Sequence, residues 1–428
     1  MTLWYKPWPM RISSSKCYVG KTKMKRLIFL LPLLLPCLAF AQTNVSGNQS
    51  GIWTSDNSPY QVTGDVTVPS GQRLDIEPGV EINFQGYYRF YVDGNLQAIG
   101  TEDAMILFTT DTPATGWGGL RVETNDTINL KFCRIEHGFS TGDYPDIHGG
   151  AMALLTSDAT VENCIFADNE TDTNGMGGAV YAINTTATSF TDCTFIRNSC
   201  YGEGGAIKFT AGNDIQITDC QFIQNHSDYG GGAVTCYSTY GTTLRGCTFV
   251  DNYTMYSNGG AIQVLGGGDV LYFVNSTLTG NTAVTGEGGA VSLSYATAYF
   301  VNTIVYDNPG VYGDDVWETA LSTIEVYYSN MPMPGGATGH DNIDEDPKFV
   351  DADNYDFNLL ETSPCIDTGV AYQESADGLE VLVDLDPSEY EGAAPDIGAF
   401  EYSYEIFADG FETGNTSNWG MTIPEGIE

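Results

Sequence analysis

The sequence predicts an all-β fold: a single-stranded, right-handed parallel β-helix of about ten coils, with an irregular N-terminal cap and a loop-rich C-terminal end. A Gly-Gly doublet followed by Ala recurs six times, at spacings of 28, 27, 27, 28 and 29 residues. The same residue types return to the same slots, and no stretch has convincing helical periodicity. Such a period indicates one unit stacked on itself, whereas an antiparallel sandwich would not repeat each slot six times. The doublets begin at Gly149, Gly177, Gly204, Gly231, Gly259 and Gly288.

The first strand of each unit follows Gly-Gly-Ala. The first and third residues after that Ala are always apolar, so we expect them to face the core. The residue between them varies, so we expect it to face solvent. This outward column is Arg121, Ala153, Tyr181, Lys208, Thr235, Gln263 and Ser292.

A second stretch in each unit carries a Cys slot and a Phe slot that alternate inward, as in Cys164-Ile165-Phe166. Another apolar column precedes the Cys slot by three residues, an odd offset that requires a bend between two strands. Turn-forming residues occupy that bend. An Asn column closes the unit, and stacked Asn amides can hydrogen-bond from rung to rung. The column is Asn169, Asn198, Asn225, Asn252, Asn281 and Asn308.

The pattern extends upstream of the doublets. Leu120, Leu130, Cys133 and Ile135 fit the core slots of an additional coil, so we assign residues 117–318 to the repeats. Short apolar or alternating strands punctuated by Gly precede them. Residues 42–116 are therefore predicted to be an N-terminal cap, within 42–60, followed by irregular initial coils.

The N-terminal residues resemble an export signal. Residues 1–23 are interpreted as an extension upstream of the true start at Met24, and residues 24–41 as a signal peptide with a basic start, an apolar run and cleavage near Ala41. No second apolar run is long enough to span a membrane. We therefore expect a secreted or cell-surface protein, associated with the outer membrane.

The predicted mature chain is strongly acidic. Only nine of the 16 basic residues follow Ala41, against all 55 acidic residues, which gives a formal charge of −46. A field of this sign repels nucleic acid and other polyanions. Nucleic-acid binding is therefore excluded as a function class.

Two segments resemble known families. The Gly-Gly-Ala-Ile and Phe-x-x-Asn pairs, such as Phe166 with Asn169, resemble the chlamydial polymorphic outer membrane protein repeat, although the last two coils replace Phe by Leu278 and Val305. That resemblance implies a surface-exposed β-helix associated with adhesion.

Residues 319–402 resemble the choice-of-anchor Q domain of bacterial surface β-helix proteins. The resemblance rests on Asp346-Pro347-Lys348-Phe349-Val350-Asp351, on Ser363-Pro364-Cys365-Ile366-Asp367 and on Asp396-Ile397-Gly398-Ala399-Phe400. It implies surface anchoring and no reaction. Residues 403–428 form a tail with an Asp-Gly-Phe-Glu motif at residues 409–412, similar to a C-terminal motif of exported proteobacterial proteins.

The outward columns give little support to catalysis. Glycoside hydrolysis needs two carboxylates at a defined separation, and neither the column of Lys208 nor the column of Arg134 and Gln221 contains one. Lys208 is the best candidate for the base of a lyase, against the simpler interpretation of a solvated surface charge. Arg197 lies one rung from Asp168 in the same column, and we expect them to form an ion pair.

Calcium is the one cofactor that the sequence suggests. Its carboxylate ligands would be Asp351, Asp353, Asp356, Asp384 and Asp386; the simpler interpretation is that these residues lie in solvated acidic loops.

Of the eight Cys after Ala41, five occupy one inward column. We expect buried free thiols there, because in-register side chains on adjacent rungs lie too far apart for an unstrained disulfide.

The sequence thus favours a non-catalytic, monomeric adhesin or glycan-binding scaffold whose partner is a polysaccharide or a cell-surface glycan or protein. The candidate ligand-binding residues are Tyr181, Lys208, Thr235 and Gln263, with further tyrosines as stacking surfaces. The alternative is a polysaccharide lyase or glycoside hydrolase of the pectate-lyase-like β-helix type.

Overall fold

The computed structural model describes residues 42–311, 315–319 and 321–403. The predicted signal peptide, the upstream extension and the Asp-Gly-Phe-Glu motif lie outside these residues. Within them the chain is a right-handed parallel β-helix, which confirms the predicted fold class. The only regular helices of the described part are two 3₁₀ turns, Ser55–Asn57 and Ala352–Asn354, and no helix there is long and apolar enough to cross a membrane.

Three faces run the length of the stack, and each is built from parallel strands of successive coils. Face A holds the strands that follow Gly-Gly-Ala, face B those with the next apolar column, and face C those with the Cys-x-Phe pattern. The predicted registers are observed: Met152 pairs with Leu120, Leu130 with Val161 and Phe166 with Phe195.

Face A contains Phe90–Val92, Leu120–Val122, Met152–Leu155, Val180–Ile183, Ile207–Thr210, Val234–Tyr237 and Val316–Glu318. Face B contains Gly51–Trp53, Arg73–Ile76, Asn95–Ile99, Ile128–Lys131, Ala159–Glu162, Ser189–Thr191, Gln216–Thr218, Thr242–Arg245, Thr323–Tyr327 and Thr338–His340. Face C contains Glu81–Phe84, Ile106–Thr110, Cys133–Glu136, Ile165–Ala167, Thr194–Ile196, Gln221–Ile223, Thr248–Val250, Thr277–Thr279 and Ile304–Tyr306.

Four longer strands turn a corner between faces. Thr43–Asn48 and Tyr60–Val68 run from face C to face A, and Ile262–Val274 and Val291–Val301 run from face A to face B. The stack therefore begins at Thr43, inside the range that the sequence assigns to a cap.

A fourth, smaller sheet follows face C, and we call it sheet D. Six two-residue strands form it, one per coil; the first follows Gly138 and the other five directly follow an Asn of the Asn column. They are Phe139–Ser140, Glu170–Thr171, Ser199–Cys200, His226–Ser227, Tyr253–Thr254 and Thr282–Ala283. These strands are too short to be distinguished from loops in the sequence.

The core is filled by the columns that the sequence predicts. The two apolar residues after each Gly-Gly-Ala are buried, and so are the Cys and Phe slots. Phe195 stacks on Phe166 and Phe222 with ring centroids 4.8 and 4.9 Å apart. The bends predicted between faces B and C are observed, since the bend residue Asn163 has a left-handed φ of 54°.

The thiols of the inward column are buried and form no disulfide, as predicted. In this column the amide of Cys133 lies 3.4 Å from Cys164 Sγ, and the amide of Cys193 lies 3.4 Å from Cys220 Sγ. Burial raises the pKa of Cys220 well above its ordinary value. These thiols therefore pack as small core side chains.

The Asn column forms the predicted ladder. Each buried Asn donates from Nδ2 to Oδ1 of the Asn on the next rung, for example 3.0 Å from Asn198 to Asn225 and 2.9 Å from Asn225 to Asn252. Nδ2 also donates to a backbone carbonyl of the preceding rung, 2.9 Å from Asn225 to Phe195. Asp315 accepts from Asn308 and so ends the ladder.

The Gly-Gly doublets fit where rungs approach most closely. A Cβ on Gly205 would lie 2.0 Å from the carbonyl oxygen of Gly232 on the next rung. The first residue of the doublet, Gly204, has a φ of 76°, which strains any other residue. The repeat therefore keeps both glycines for steric reasons.

The C-terminal segment folds back onto the outside of the helix. Two antiparallel hairpins, Phe349–Asp351 with Asp356–Leu359 and Tyr372–Glu374 with Val381–Asp384, follow the last coils. Phe357 packs against an apolar outward row of face C that comprises Ala167, Ile196, Ile223 and Val250. Leu382 and Val383 pack in the same way against Val274 and Val301 at the edge of face B. These hairpins cover apolar surface that would otherwise face water.

Candidate functional site

The predicted ligand-binding residues lie in one row on face A. The strand pairing places Tyr181, Lys208, Thr235 and Gln263 side by side on successive rungs. However, the prediction that this column faces solvent is wrong, because all four are at most 5% exposed. Their role in ligand binding remains a prediction.

The loops between sheet D and each Gly-Gly doublet cover this row. His148 stacks on Tyr181 with ring centroids 4.5 Å apart, and Ser257 accepts a 3.0 Å hydrogen bond from Gln263. The hydroxyl of Thr235 accepts the amide of Gly231 at 2.9 Å. The residues of this column therefore contact the loops that cover them.

Lys208 is neither a solvated charge nor an exposed base. Its ammonium pairs with the carboxylate of Glu203 and lies 5.3 Å above the ring of Tyr237. Only 3% of its side chain is exposed. A substrate would have to displace the covering loop to reach it.

The same row contains a buried arginine. Arg121 donates to the carbonyl oxygen of Gly149 at 2.9 Å and to the hydroxyl of Ser140. Burial lowers the pKa of Arg121 to about 10, and burial together with Arg121 and Lys208 lowers the pKa of His148 to about 4. His148 is therefore neutral at physiological pH, and its Nδ1 accepts the amide of Met176 at 3.1 Å.

The predicted ion pair between Arg197 and Asp168 is observed. It is bidentate, with both N–O distances 2.8 Å. Arg245 and Arg134 also have acidic partners outside their columns, Glu389 and Glu136.

The structure separates the aspartates predicted to bind calcium. Asp351 and Asp356 pair across the first C-terminal hairpin, whereas Asp384 ends the second hairpin. Asp386 accepts hydrogen bonds from Ser388, and Asp353 lies in the 3₁₀ turn. In the part of the chain that the structure describes, no group of three or more His, Cys, Asp or Glu is arranged to hold a metal ion. The calcium site remains a prediction without a geometry to support it.

A groove of about 260 Å³ lies on the outer side of sheet D. Glu170, Ser199 and His226 follow the Asn column on successive rungs, and strand pairing aligns them along the groove. Asp172 and Asp228 stand two residues further on. The lining is completed by Phe139, Thr171, Thr173, Cys200 and Tyr201.

A tyrosine ladder borders this groove. Tyr201, Tyr229 and Tyr256 occupy successive rungs, with ring centroids 5.3 and 5.5 Å apart. They are 40%, 45% and 59% exposed, so their rings are accessible to a ligand. Tyr253 stacks on His226 with ring centroids 4.3 Å apart and extends the aromatic surface into sheet D.

The groove is negatively charged at neutral pH. Burial and then the charge of Asp172 raise the pKa of Glu170, whereas hydrogen bonds from the Thr141 hydroxyl and the Thr173 amide lower the pKa of Asp172. Burial lowers the pKa of His226, although Asp228 lies 3.2 Å from its Nε2. No lysine or arginine is among the lining residues.

Larger cavities lie elsewhere, but they are poorer candidates. A cavity of about 490 Å³ lies between the last strand of face B and the second hairpin, and Tyr327, His340 and Tyr372 line it. It is a seam between two packed segments. The groove on sheet D instead presents side chains of several coils in register.

The carboxylates and the histidine of this groove are not among the site residues predicted from the sequence. The signal was present, because Glu170 and His226 each follow an Asn of the ladder and so form a further outward column. Tyr201, Tyr229 and Tyr256 are among the tyrosines that the sequence predicts as stacking surfaces, but their stacking on one another is not part of that prediction.

A comparison with protein families agrees with the fold. Residues 108–308 match a family model described as "right handed beta helix region". The structure of pectate lyase Pel9A is similar at 12% sequence identity, with a TM-score of 0.32 over 78% of this chain and 89% of that chain. No curated protein sequence matches significantly. The chain is thus a right-handed parallel β-helix, and the matched region spans its repeats.

Proposed function

We propose that the protein is an exported, surface-associated and monomeric β-helix that binds polysaccharide along sheet D without catalysis. The tyrosine ladder beside the groove is the observation that carries this proposal. Tyrosine presents a rigid apolar ring and a polar hydroxyl, which suits the apolar faces and hydroxyl groups of sugars. Successive rungs place the tyrosine rings at regular intervals, and a polysaccharide presents its sugar rings at regular intervals too.

Further features support a surface role. The predicted signal peptide leads out of the cytoplasm, and the repeats and residues 319–402 resemble parts of bacterial surface proteins. The row on face A is buried, whereas the tyrosine ladder beside sheet D is accessible to a ligand.

The experiment is a glycan array probed with the mature chain, with and without calcium. Tyr229→Ala removes the middle ring of the ladder and should weaken binding roughly tenfold, the effect expected of a central aromatic contact. Tyr240→Ala is the matched control, because Tyr240 is 53% exposed but is not part of the tyrosine ladder. If Tyr229→Ala and Tyr240→Ala bind the glycan equally well, the tyrosine ladder is not the binding surface. Loss of calcium dependence on changing Asp384 would support the separate calcium prediction.

Glycoside hydrolysis is the second candidate. The pKa of Glu170 is raised and that of Asp172 is lowered within one groove, and such opposed shifts are typical of an acid and a base. Asp172 is, however, held by Thr141 and Thr173. Release of reducing ends by the wild-type chain, abolished in Glu170→Gln, would favour this candidate. Unsaturated products that depend on Lys208 would instead favour a lyase.

A further inference from the structure

The groove on sheet D is lined by three carboxylates, Glu170, Asp172 and Asp228, and by no lysine or arginine. The carboxylate of Glu170 forms no hydrogen bond or ion pair with the described residues. Thr171, only 4% exposed, lines the same groove, and its hydroxyl has no hydrogen-bond partner in the described chain. Buried polar atoms usually have a partner, so the unpartnered hydroxyl of Thr171 indicates a missing hydrogen-bonding group, and the exposed carboxylate of Glu170 is free to pair with a cation.

The nearby basic residues do not neutralise the carboxylates of the groove. Arg197, two residues before Ser199, is bound to Asp168 by two hydrogen bonds. Lys208 is bound to Glu203 beneath the loops of face A. Among the described residues, no lysine or arginine therefore neutralises the charges of Glu170 and Asp228 in the groove. His226 lies 3.2 Å from Asp228, but burial lowers the pKa of its imidazole.

An ammonium group matches this environment. It offers three donors and no acceptor, and it pairs with carboxylates. It is also attracted to the faces of aromatic rings, such as those of Tyr201 and Tyr253. A uronate would instead place its carboxylate against Glu170, Asp172 and Asp228, and the acidic chain as a whole would repel it.

On the basis of the proposed function, we infer that the groove selects polysaccharides that carry protonated amino groups, such as a polymer of glucosamine with free amines. The tyrosine ladder contacts the sugar rings, and Glu170 and Asp228 bind the ammonium groups. The ligand chain runs parallel to the helix axis, because the ladder does.

The test compares three hexamers on the mature chain by calorimetry: glucosamine, N-acetylglucosamine and galacturonate. The glucosamine hexamer should bind about tenfold more tightly than the acetylated one at low salt, corresponding to about 1.4 kcal/mol. This preference should shrink at high salt, which screens exposed charges. Galacturonate should not bind.

Variants locate the selection. Glu170→Gln should weaken the binding of the glucosamine hexamer and leave the binding of the N-acetylglucosamine hexamer unchanged. The two hexamers should then bind this variant with similar affinity. Glu77→Gln is the control, because Glu77 is exposed, lies far along the sequence in an initial coil and removes the same net charge. If Glu77→Gln reduces the preference as much as Glu170→Gln does, the overall field and not the groove is responsible, and the inference is wrong.

The remaining outcomes separate this inference from the proposed function. Equal binding of the glucosamine and acetylated hexamers overturns the charge selection and leaves glycan binding intact. No binding of any hexamer by the folded chain overturns both. Tight binding of a lysine hexamer, unaffected by Tyr229→Ala, shows a site for cationic peptides and overturns the selection of a glycan.

Discussion

The asparagine ladder should contribute more to stability than its small side chains suggest, and Asn225→Ala tests this. The Asn225 side chain accepts hydrogen bonds from the backbone amide and from Nδ2 of Asn198, both at 3.0 Å. It donates to Phe195 and to Asn252, both at 2.9 Å. Asn225 is completely buried, so water cannot replace these partners.

The magnitude follows from these four hydrogen bonds. Each contributes about 1 kcal/mol net, and the donors left unpaired on Asn198 cost about 1–3 kcal/mol more. We therefore expect Asn225→Ala to lower the free energy of unfolding by about 5–7 kcal/mol. The total stability of a protein is commonly about 5–15 kcal/mol, so the loss is large.

The assay is urea denaturation of the mature chain, followed by circular dichroism and tyrosine fluorescence. Asn129→Ala is the control, because Asn129 is half-buried and donates one hydrogen bond of 2.7 Å to Gln97. It should cost about 1 kcal/mol or less. If the two variants differ by less than about 1 kcal/mol, the ladder is not a cooperative support and the reasoning fails.

Three further predictions concern the scaffold. Gly205→Ala should destabilise the protein by about 1–3 kcal/mol through overpacking between rungs, whereas Gly267→Ala, where a Cβ meets nothing within 4 Å, should change the denaturation midpoint little. Burial raises the pKa of Asp269 to about 7, so its ionisation penalises the folded state increasingly as the pH rises from about 4 towards 7. Asp269→Asn should therefore stabilise the protein at pH 8 by up to about 4 kcal/mol and much less at pH 4, and an equal effect on the melting temperature at both pH values would contradict this. Cys220→Ser should cost about 1 kcal/mol or less in thermal unfolding, because Ser276 occupies the same slot and its hydroxyl bonds to backbone carbonyls there, and a loss above about 3 kcal/mol would show that the slot needs a thiol.

The scaffold could be predicted from the sequence because each rung repeats its neighbour. A residue type that recurs every 27 to 29 residues lies next to the same residue type on the adjacent rung. The Phe stack, the Asn ladder and the column of buried thiols all follow from that rule. The bends at residues such as Asn163 follow from the odd spacing between apolar columns.

The environment of the outward columns could not be predicted in the same way. Strand alternation shows that Lys208 points away from the core, but not that Glu203 and its loop fold over it. The paths of these loops differ between repeats, so no column pattern describes them. The inference from outward-pointing to solvent-exposed was therefore wrong.

The sequence by itself determined the period, the parallel stacking and the inward columns, because neighbouring rungs impose the same local chemistry on each repeat. Only the tertiary structure decided which outward residues are accessible. The hydrogen bond between Gln224 and Tyr355 joins residues 131 positions apart, and Phe357 reaches back in the same way to the row of Ile196 and Ile223. Such contacts depend on how non-repeating segments close over a repeating surface, and no periodicity encodes that closure.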